Sequence, residues 1–390
     1  MSADGEGQVA VRVVDEIAAI PAADWDACAG SDNPFLAHAF LAALEASGSV
    51  APDTGWLPQH LVAEDASGKV VGVVPAYLKS HSQGEYVFDH GWADAYRQAG
   101  GRYYPKLQIA VPFTPAAGRR VLLHPEADPA LLEQLAGAAL TLAQKRRASS
   151  VHITFPTEAE WTRLGEAGWL RRNGLQYHWT NEGYRSFEDF LAALASRKRK
   201  AIRKERREVA DSGIAVRALT GPEIEERHWR SFHRYYLDTV DRKWAHAYLN
   251  EAFFLRLGET FADRVVLVIG EAAGGRMVAG ALNLLGSDTL YGRNWGADGD
   301  YRFLHFEACY YRAIDFAIEH GLKRVEAGAQ GPHKIQRGYL PTATYSLHHI
   351  FDPRLAKPVA EALARERAHV AREIRRLMEL SPFRKEDDAG

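Results

Sequence analysis

Cysteine is scarce in this chain: its 390 residues include two, Cys28 and Cys309. A disulfide framework or a structural zinc site needs more thiols at closer spacing, so neither is expected, and a reducing compartment is the default. Long hydrophobic runs are also missing. The longest, such as Val70–Leu78, reach about half of the roughly 18 residues that a membrane helix requires, so no membrane insertion is expected. The opening MSADGEGQ has no basic stretch followed by an apolar one, so no signal peptide is expected and the cytoplasm is the expected location. Charge of one sign is lacking in bulk, with 48 Lys plus Arg against 50 Asp plus Glu and a net charge of −2. That balance excludes a surface generally coated for nucleic acid. No GxSxG, HExxH, P-loop or dinucleotide fingerprint occurs, and no spacing of metal ligands is found.

What is present is a globular composition: 46% hydrophobic, 25% charged and 11% aromatic residues. The length exceeds what one ordinary core accommodates and predicts two domains. The near-neutral total hides one concentration of charge. Between Ser196 and Val209 stand eight basic and two acidic residues.

The two halves repeat. LVAEDASGKVVGVVPAYL (Leu61–Leu78) and VVLVIGEAAGGRMVAGALNLL (Val265–Leu285) each read as two apolar strands around a Gly-containing turn. YVFDHGWADAY (Tyr86–Tyr96) and TLYGRNWGADGDY (Thr289–Tyr301) follow, each read as a strand entering a Gly/Trp/Asp loop. Helical spacing comes next, through Leu131, Leu135, Ala139 and Leu142 in one half and Phe306, Tyr310, Ala313 and Ala317 in the other. SVHITFP (Ser150–Pro156) and RVEAGAQG (Arg324–Gly331) read as short strands. Gly168–His178 then aligns without gaps on Gly338–His348, at an offset of 170. Five blocks in one order predict a tandem α/β repeat. Ser186 followed by Asp189 is an N-terminal capping signal for a basic helical connector ending at Ser212-Gly213. Val359, Leu363, Val370, Ile374 and Leu377 predict a closing amphipathic helix. The expected divisions are 1–185, 186–212, 213–353 and 354–390.

The order of elements resembles the GNAT acyltransferase fold, duplicated, with mixed, mostly antiparallel sheets flanked by helices. FDHGWADAY (Phe88–Tyr96), YYPKLQIAVPFTP (Tyr103–Pro115), RKWAHAYL (Arg242–Leu249), LHFEACYY (Leu304–Tyr311) and EAGAQGPHKIQRGYLP (Glu326–Pro341) resemble the FemAB-like peptidoglycan biosynthesis/recognition family of bacterial proteins. One departure is Pro332, where family members usually carry an acidic residue. The resemblance implies a transferase. Fem ligases are tandem-GNAT enzymes that move an amino acid from aminoacyl-tRNA to an amine of a peptidoglycan precursor. Two other readings stay open: an N-acyltransferase using acyl-CoA, and a non-catalytic module that recognises a nucleotide-linked or cell-wall precursor. No tightly bound cofactor is expected; acyl-CoA or aminoacyl-tRNA would be a co-substrate, and a small-molecule or peptide amine the acceptor.

Amide formation requires a neutral amine, donors for an oxyanion and a hold on the leaving group. No pyrophosphate loop of the Gln/Arg-x-x-Gly-x-Gly/Ala kind precedes either long helix. The stretch Glu326–Gly338 is the first candidate. A strand, a Gly and Pro332 at the first helical position place His333, Lys334 and Arg337 within one turn, a pattern suited to an anion at a helix N-terminus. Glu326 is a candidate base, with His333 and Lys334 as further catalytic candidates and Gln330 and Arg337 as substrate ligands. The bland alternative is solvated Lys334 and Arg337, one of them paired with Glu326. Asp89, His90 and Trp92, with their aligned partners Arg293 and Trp295, are read equally as ligands lining a cleft or as a Trp packed under a loop. Tyr104 and Lys106 are candidates for a sugar or nucleotide face. Lys198, Lys200, Arg203 and Lys204 on the connector are candidates for phosphate or tRNA contact, and equally for a solvated helix face.

Overall fold

The computed structural model describes residues 9–242, 246–328 and 331–384. The chain forms two units, Met1–Gly174 with Thr344–Ala371 and Leu175–Ala343 with Arg372–Gly390.

In the first unit, alternation in LVAED and VVGVV produces the antiparallel hairpin His60–Glu64 and Val70–Val74. Its turn is closed by Asp65, whose carboxylate accepts from the Ser67 and Lys69 amides. Ala10–Val14 and Leu122–Leu123 flank the hairpin to complete a four-stranded sheet. A second set of strands runs Trp56–Pro58, Ala76–Lys79, Lys106–Ile109 and Ser150–Thr154. Lys106–Ile109 and Ser150–Thr154 are parallel, with Leu107 opposite Val151. The helix Leu131–Lys145 lays Leu131, Leu135, Ala139 and Leu142 against Leu61, Leu107 and Val151, as its 3.6-residue period requires.

In the second unit, Ala215–Thr220, Val265–Ala272, Arg276–Leu285 and Thr289–Ala297 are antiparallel neighbours. Thr289–Ala297 then runs parallel to Arg324–Glu326, with Leu290 opposite Val325. Gly296 lets the helix Glu226–Arg242 approach, since a Cβ there would stand 2.3 Å from the Tyr235 carbonyl. The basic stretch forms the helix Ser196–Asp211, after Phe187–Ala193, which Ser186 caps through the Asp189 amide. The helical run from Leu304 to Glu319 contains a π-turn at Glu307–Tyr311.

The repeat is present, and its last strands are exchanged. Leu170–Thr180 and Leu340–Ile350 have the same limits at the offset of 170, each after a Gly with positive φ, Gly168 and Gly338. The end of the first pairs antiparallel with Arg324–Glu326 of the second repeat, inside the second unit. The end of the other pairs antiparallel with Ser150–Thr154 of the first repeat, inside the first unit. The units therefore divide at 174/175 and 343/344, not along the order of the repeats.

The expectation for Tyr86–Tyr96 requires correction. His90–Gln98 is an α-helix, burying Ala93 and part of Trp92 and Tyr96 against Tyr103, Ile350 and Leu355. Its i, i+1, i+4 apolar spacing belongs to a helix, and the Gly/Trp/Asp match to Thr289–Tyr301 hid it. The true counterpart of Thr289–Ala297 is Lys106–Ile109, by the shared parallel pairing. Asp89, His90 and Trp92 are thus not repeat partners of Arg293 and Trp295. Among the described residues, no helix is long and apolar enough to cross a membrane.

Candidate functional site

The first unit contains a buried polar cluster built around Lys106. The side chain of this first residue of the central strand is fully buried. Its ammonium donates to Ser82 Oγ at 2.9 Å, Glu85 Oε2 at 2.6 Å and Asp89 Oδ2 at 2.5 Å, which uses all three of its N–H groups. The three acceptors come from the segment between Ala76–Lys79 and the helix His90–Gln98. That segment turns at Gly84 (φ 80°), where a Cβ would meet the Phe113 ring at 2.6 Å. Tyr103 donates to Asp89 at 2.7 Å, and the half-buried Tyr104 shares a hydrogen bond with Ser82 at 2.8 Å. Lys79, also buried, lies 3.5 Å over the Trp56 ring and donates to the Gln83 carbonyl at 3.2 Å.

These environments separate the titrations. Burial pushes the Glu85 carboxyl up to about 7, against the pull of Lys106, with the Asp89 charge adding to the rise. Burial also opposes ionisation of Asp89, but Lys106 outweighs it and holds Asp89 well below the usual carboxylate range. Burial brings the Lys79 ammonium down to about 7, partly countered by Glu85. Lys106 stays above its ordinary value because Glu85 and Asp89 overcome its desolvation. Two oxygens of the cluster, Glu85 Oε1 and Asp89 Oδ1, are buried without a hydrogen-bond partner among the described residues. Each such group costs about 1–3 kcal/mol.

Beside this cluster stands a pair of buried imidazoles. His152 and His348 face each other across paired strands with Nδ1 atoms 2.7 Å apart. Ser150 and Ser346, each two residues earlier, hydrogen-bond the respective Nε2 atoms at 2.7 and 3.0 Å. Burial, with Lys106 nearby, takes His152 down to about 3, so both rings are neutral and one donates to the other. Trp92 packs edge-on to His348 at 4.9 Å and lies under the Arg172 guanidinium, which pairs with Glu366. His90 is exposed and stacks on Phe88.

In the second unit, Glu326 is buried, 3.9 Å from His178 Nε2 and 3.8 Å from Arg324. Burial drives His178 down to about 3, so that contact is with a neutral ring. The expected helix after Gly331 is a six-residue 3-10 turn, Pro332–Arg337. Its cations are neither solvated nor turned to an external anion. Lys334 is buried and donates to the Ala327 and Gly328 carbonyls. Arg337 makes a two-pronged pair with Glu205 at 2.9 Å and lies 3.5 Å over the Phe306 ring. His333 is exposed, with Nε2 3.1 Å from the Tyr310 hydroxyl. Arg293 and Trp295 are half-buried on Thr289–Ala297, with Trp295 against His305 at 5.3 Å. Gln330 lies outside the described residues.

Much of the basic helix is neutralised locally. Lys198 donates to Gln336, Arg203 pairs with Glu188, Lys204 lies 3.7 Å from Glu208, and Arg206 joins Glu307 and Asp315 at 3.0 and 2.6 Å. Lys200 is exposed. Of the expected site residues, the structure gathers Asp89, Tyr104 and Lys106 in one cluster, with Trp92 on the adjoining histidine pair. Reading the sequence missed Lys79, Ser82, Glu85 and His152. The available signal was a lysine at a strand position with apolar neighbours, twice: Lys79 after AYL and Lys106 before LQI.

The fold is shared with solved proteins of low sequence identity. FemX is 12% identical over 79% of this chain and 92% of its own, with a TM-score of 0.52. The C-terminal domain (DUF2156) of a putative lysylphosphatidylglycerol synthetase from Agrobacterium fabrum is 9% identical over 88% and 95%, with a TM-score of 0.54. L-PGS from Bacillus licheniformis is 10% identical over 85% and 98%, with a TM-score of 0.51. The architecture is thus the tandem GNAT-like one that the repeat predicts. No curated protein matches the chain. Residues 16–385 match the FemAB-like family of peptidoglycan biosynthesis/recognition, and the chain belongs to that family.

Proposed function

We propose that this protein is an acyl- or aminoacyltransferase that forms an amide bond, in the manner of a Fem ligase. The observation that carries the reading is the family match across residues 16–385. In this reading the donor is an activated ester such as aminoacyl-tRNA, and the acceptor is an amine on a peptidoglycan-type precursor. The second unit holds the donor near Glu326, His333 and Lys334, and the first receives the acceptor near Asp89, Trp92, Tyr104 and Lys106. In the second unit Lys334 donates to the Ala327 and Gly328 carbonyls, directly after Glu326.

The test is a donor panel of charged tRNAs and acyl-CoA thioesters, offered with amine-bearing cell-wall precursors and read by mass spectrometry. An amide product from charged tRNA is expected. Product from acyl-CoA alone would replace the donor assignment, and binding without product from any donor would overturn the transferase reading. Full activity in both Glu326→Gln and Lys334→Ala would remove the second-unit site.

A further inference from the structure

Lys106 at the centre of the cluster is fully engaged, and Lys79 is turned to the Gln83 carbonyl and the Trp56 ring, while two carboxylate oxygens are without a partner among the described residues. Lys106 has no N–H group left, while Glu85 Oε1 and Asp89 Oδ1, on the two carboxylates that it binds, are buried acceptors without partners among the described residues. What complements two such oxygens is a further donor of positive charge. At the rim, the half-buried Tyr104 hydroxyl meets Ser82. On the same segment Tyr86 and Phe88 are 41% and 67% exposed, an aromatic surface open to solvent.

We propose that the cluster between Lys79 and Lys106 is a primary-amine site, in which Glu85 and Asp89 seat the amine and Glu85 takes its proton. This rests on the acyl-transfer reading and supplies its acceptor half. The Glu85 carboxylate removes one proton from the ammonium, leaving a neutral amine and a carboxylic acid. The nitrogen lone pair attacks the carbonyl carbon of the ester or thioester donor. The C–N bond forms, the C–O or C–S bond breaks, and the departing oxygen or sulfur keeps that electron pair and takes the second proton shed by nitrogen. Glu85 then returns its proton to solvent.

The environment suits that role. Lys79, Asp89, Tyr103, Tyr104 and Lys106 act on the carboxyl, and with burial as the largest influence it is pushed up to about 7. A base with that value both accepts and releases a proton near neutral pH. The loss of one arm is not compensated nearby, because Asp89 stays ionised beside Lys106 and is too weak a base.

The test needs no acyl donor. The full-length chain is titrated with n-butylamine and glycinamide, with butyrate as the anion control, and followed by NMR. Saturable amine binding that strengthens as pH rises through about 7 is expected, weakened by about tenfold or more in Glu85→Gln and Asp89→Asn and unchanged in the exposed Glu126→Gln. Absence of amine binding, equal binding by Glu85→Gln, or preference for butyrate would each overturn the site. Should those variants fail to fold, carbon-detected titration of the wild-type carboxyls decides. The carboxyl that titrates near 7 must shift downward on saturation with butylamine, and an unmoved titration overturns the proposal. Amine binding without turnover would leave the site standing and remove the transferase. Full turnover in Glu85→Gln would do the reverse.

Discussion

The two units share one strand plan and fill it with different chemistry. Aligned on their parallel pairs, Lys106 matches Thr289, Gln108 matches Tyr291, and His152 matches Glu326. The exchanged strands extend the match, since His348 pairs opposite His152 and His178 opposite Glu326. In the first unit the paired groups are two neutral imidazoles 2.7 Å apart beside a three-way ion cluster. In the second they are a carboxylate and an imidazole 3.9 Å apart, with Leu290 and Val325 packed alongside. Burying polar groups is expensive unless every one is paired. The second unit forms the same strands without a central lysine, so the fold itself does not require Lys106, Glu85 and Asp89. The proposed amine site would account for that asymmetry. In the second, Lys334 and Arg337 tie down their own neighbours.

The sharpest way to break this comparison is to remove the central cation. Lys106→Ala leaves Glu85 and Asp89 as buried uncompensated carboxylates and should lower unfolding free energy by about 3–5 kcal/mol in urea denaturation. Thr289→Ala, at the matching position, loses a hydrogen bond to Asp288 and should lower it by about 1 kcal/mol. Equal losses would mean that the cluster is ordinary packing. The next largest effect is expected in the second unit. Arg337→Ala breaks a mostly buried pair with Glu205 and a stack on Phe306, for a loss of about 2–3 kcal/mol. Arg203→Ala breaks only an exposed pair with Glu188 and should stay within about 0.5 kcal/mol.

Within the first unit, acid separates two buried groups by sign. His152 is buried neutral with its value lowered from 6.5 to about 3, so below 6.5 the unfolded chain binds more protons. Its contribution is present above 6.5 and is lost as pH falls toward 3, at up to about 1.4 kcal/mol per pH unit. Glu85 is raised from 4.5 to about 7, so between those values the folded chain binds more protons. Its contribution is complete below 4.5 and is lost as pH rises to about 7. The two oppose each other between 4.5 and 6.5. Glu85→Gln should therefore steepen the rise of stability with pH across that window, measured by denaturation from pH 4 to 7. An unchanged slope would show that Glu85 does not titrate there.

The sequence makes the repeat readable because its clearest block, Gly168–His178 against Gly338–His348, has one backbone requirement twice: a positive-φ Gly before a strand. It conceals the exchange of those strands, since pairing partners far along the chain leave no local pattern. Lys106 stands out among apolar neighbours, whereas Glu85, within SQGEY, looks like any polar turn residue. Only the fold carries that turn inward over Lys106. The second-unit cations mislead in the opposite direction. Their spacing suits an anion, yet a 3-10 turn directs Lys334 to the carbonyls just before it and Arg337 to Glu205 on the basic helix.

The smallest stability effects are expected on the helix Ser196–Asp211, where the comparison extends from interior to surface. Its inward cations answer acidic groups of the second unit, as Arg206 does for Glu307 and Asp315. Lys200 and Arg207 are exposed on the same helix. Lys200→Ala and Arg207→Ala should each change stability by less than about 0.5 kcal/mol, because exposed substitutions remove little packing. If the second unit receives a tRNA-borne donor, the same variants should weaken tRNA binding and flatten its dependence on salt, by about 0.7–0.9 in log–log slope per lost phosphate contact. Filter binding across a salt series reads both quantities. A stability loss with unchanged tRNA affinity would make these cations structural, and the donor would have to be held elsewhere. Unchanged stability with a flatter salt slope would give the units complementary charge: a phosphate-facing surface on the second and an amine-seating interior in the first.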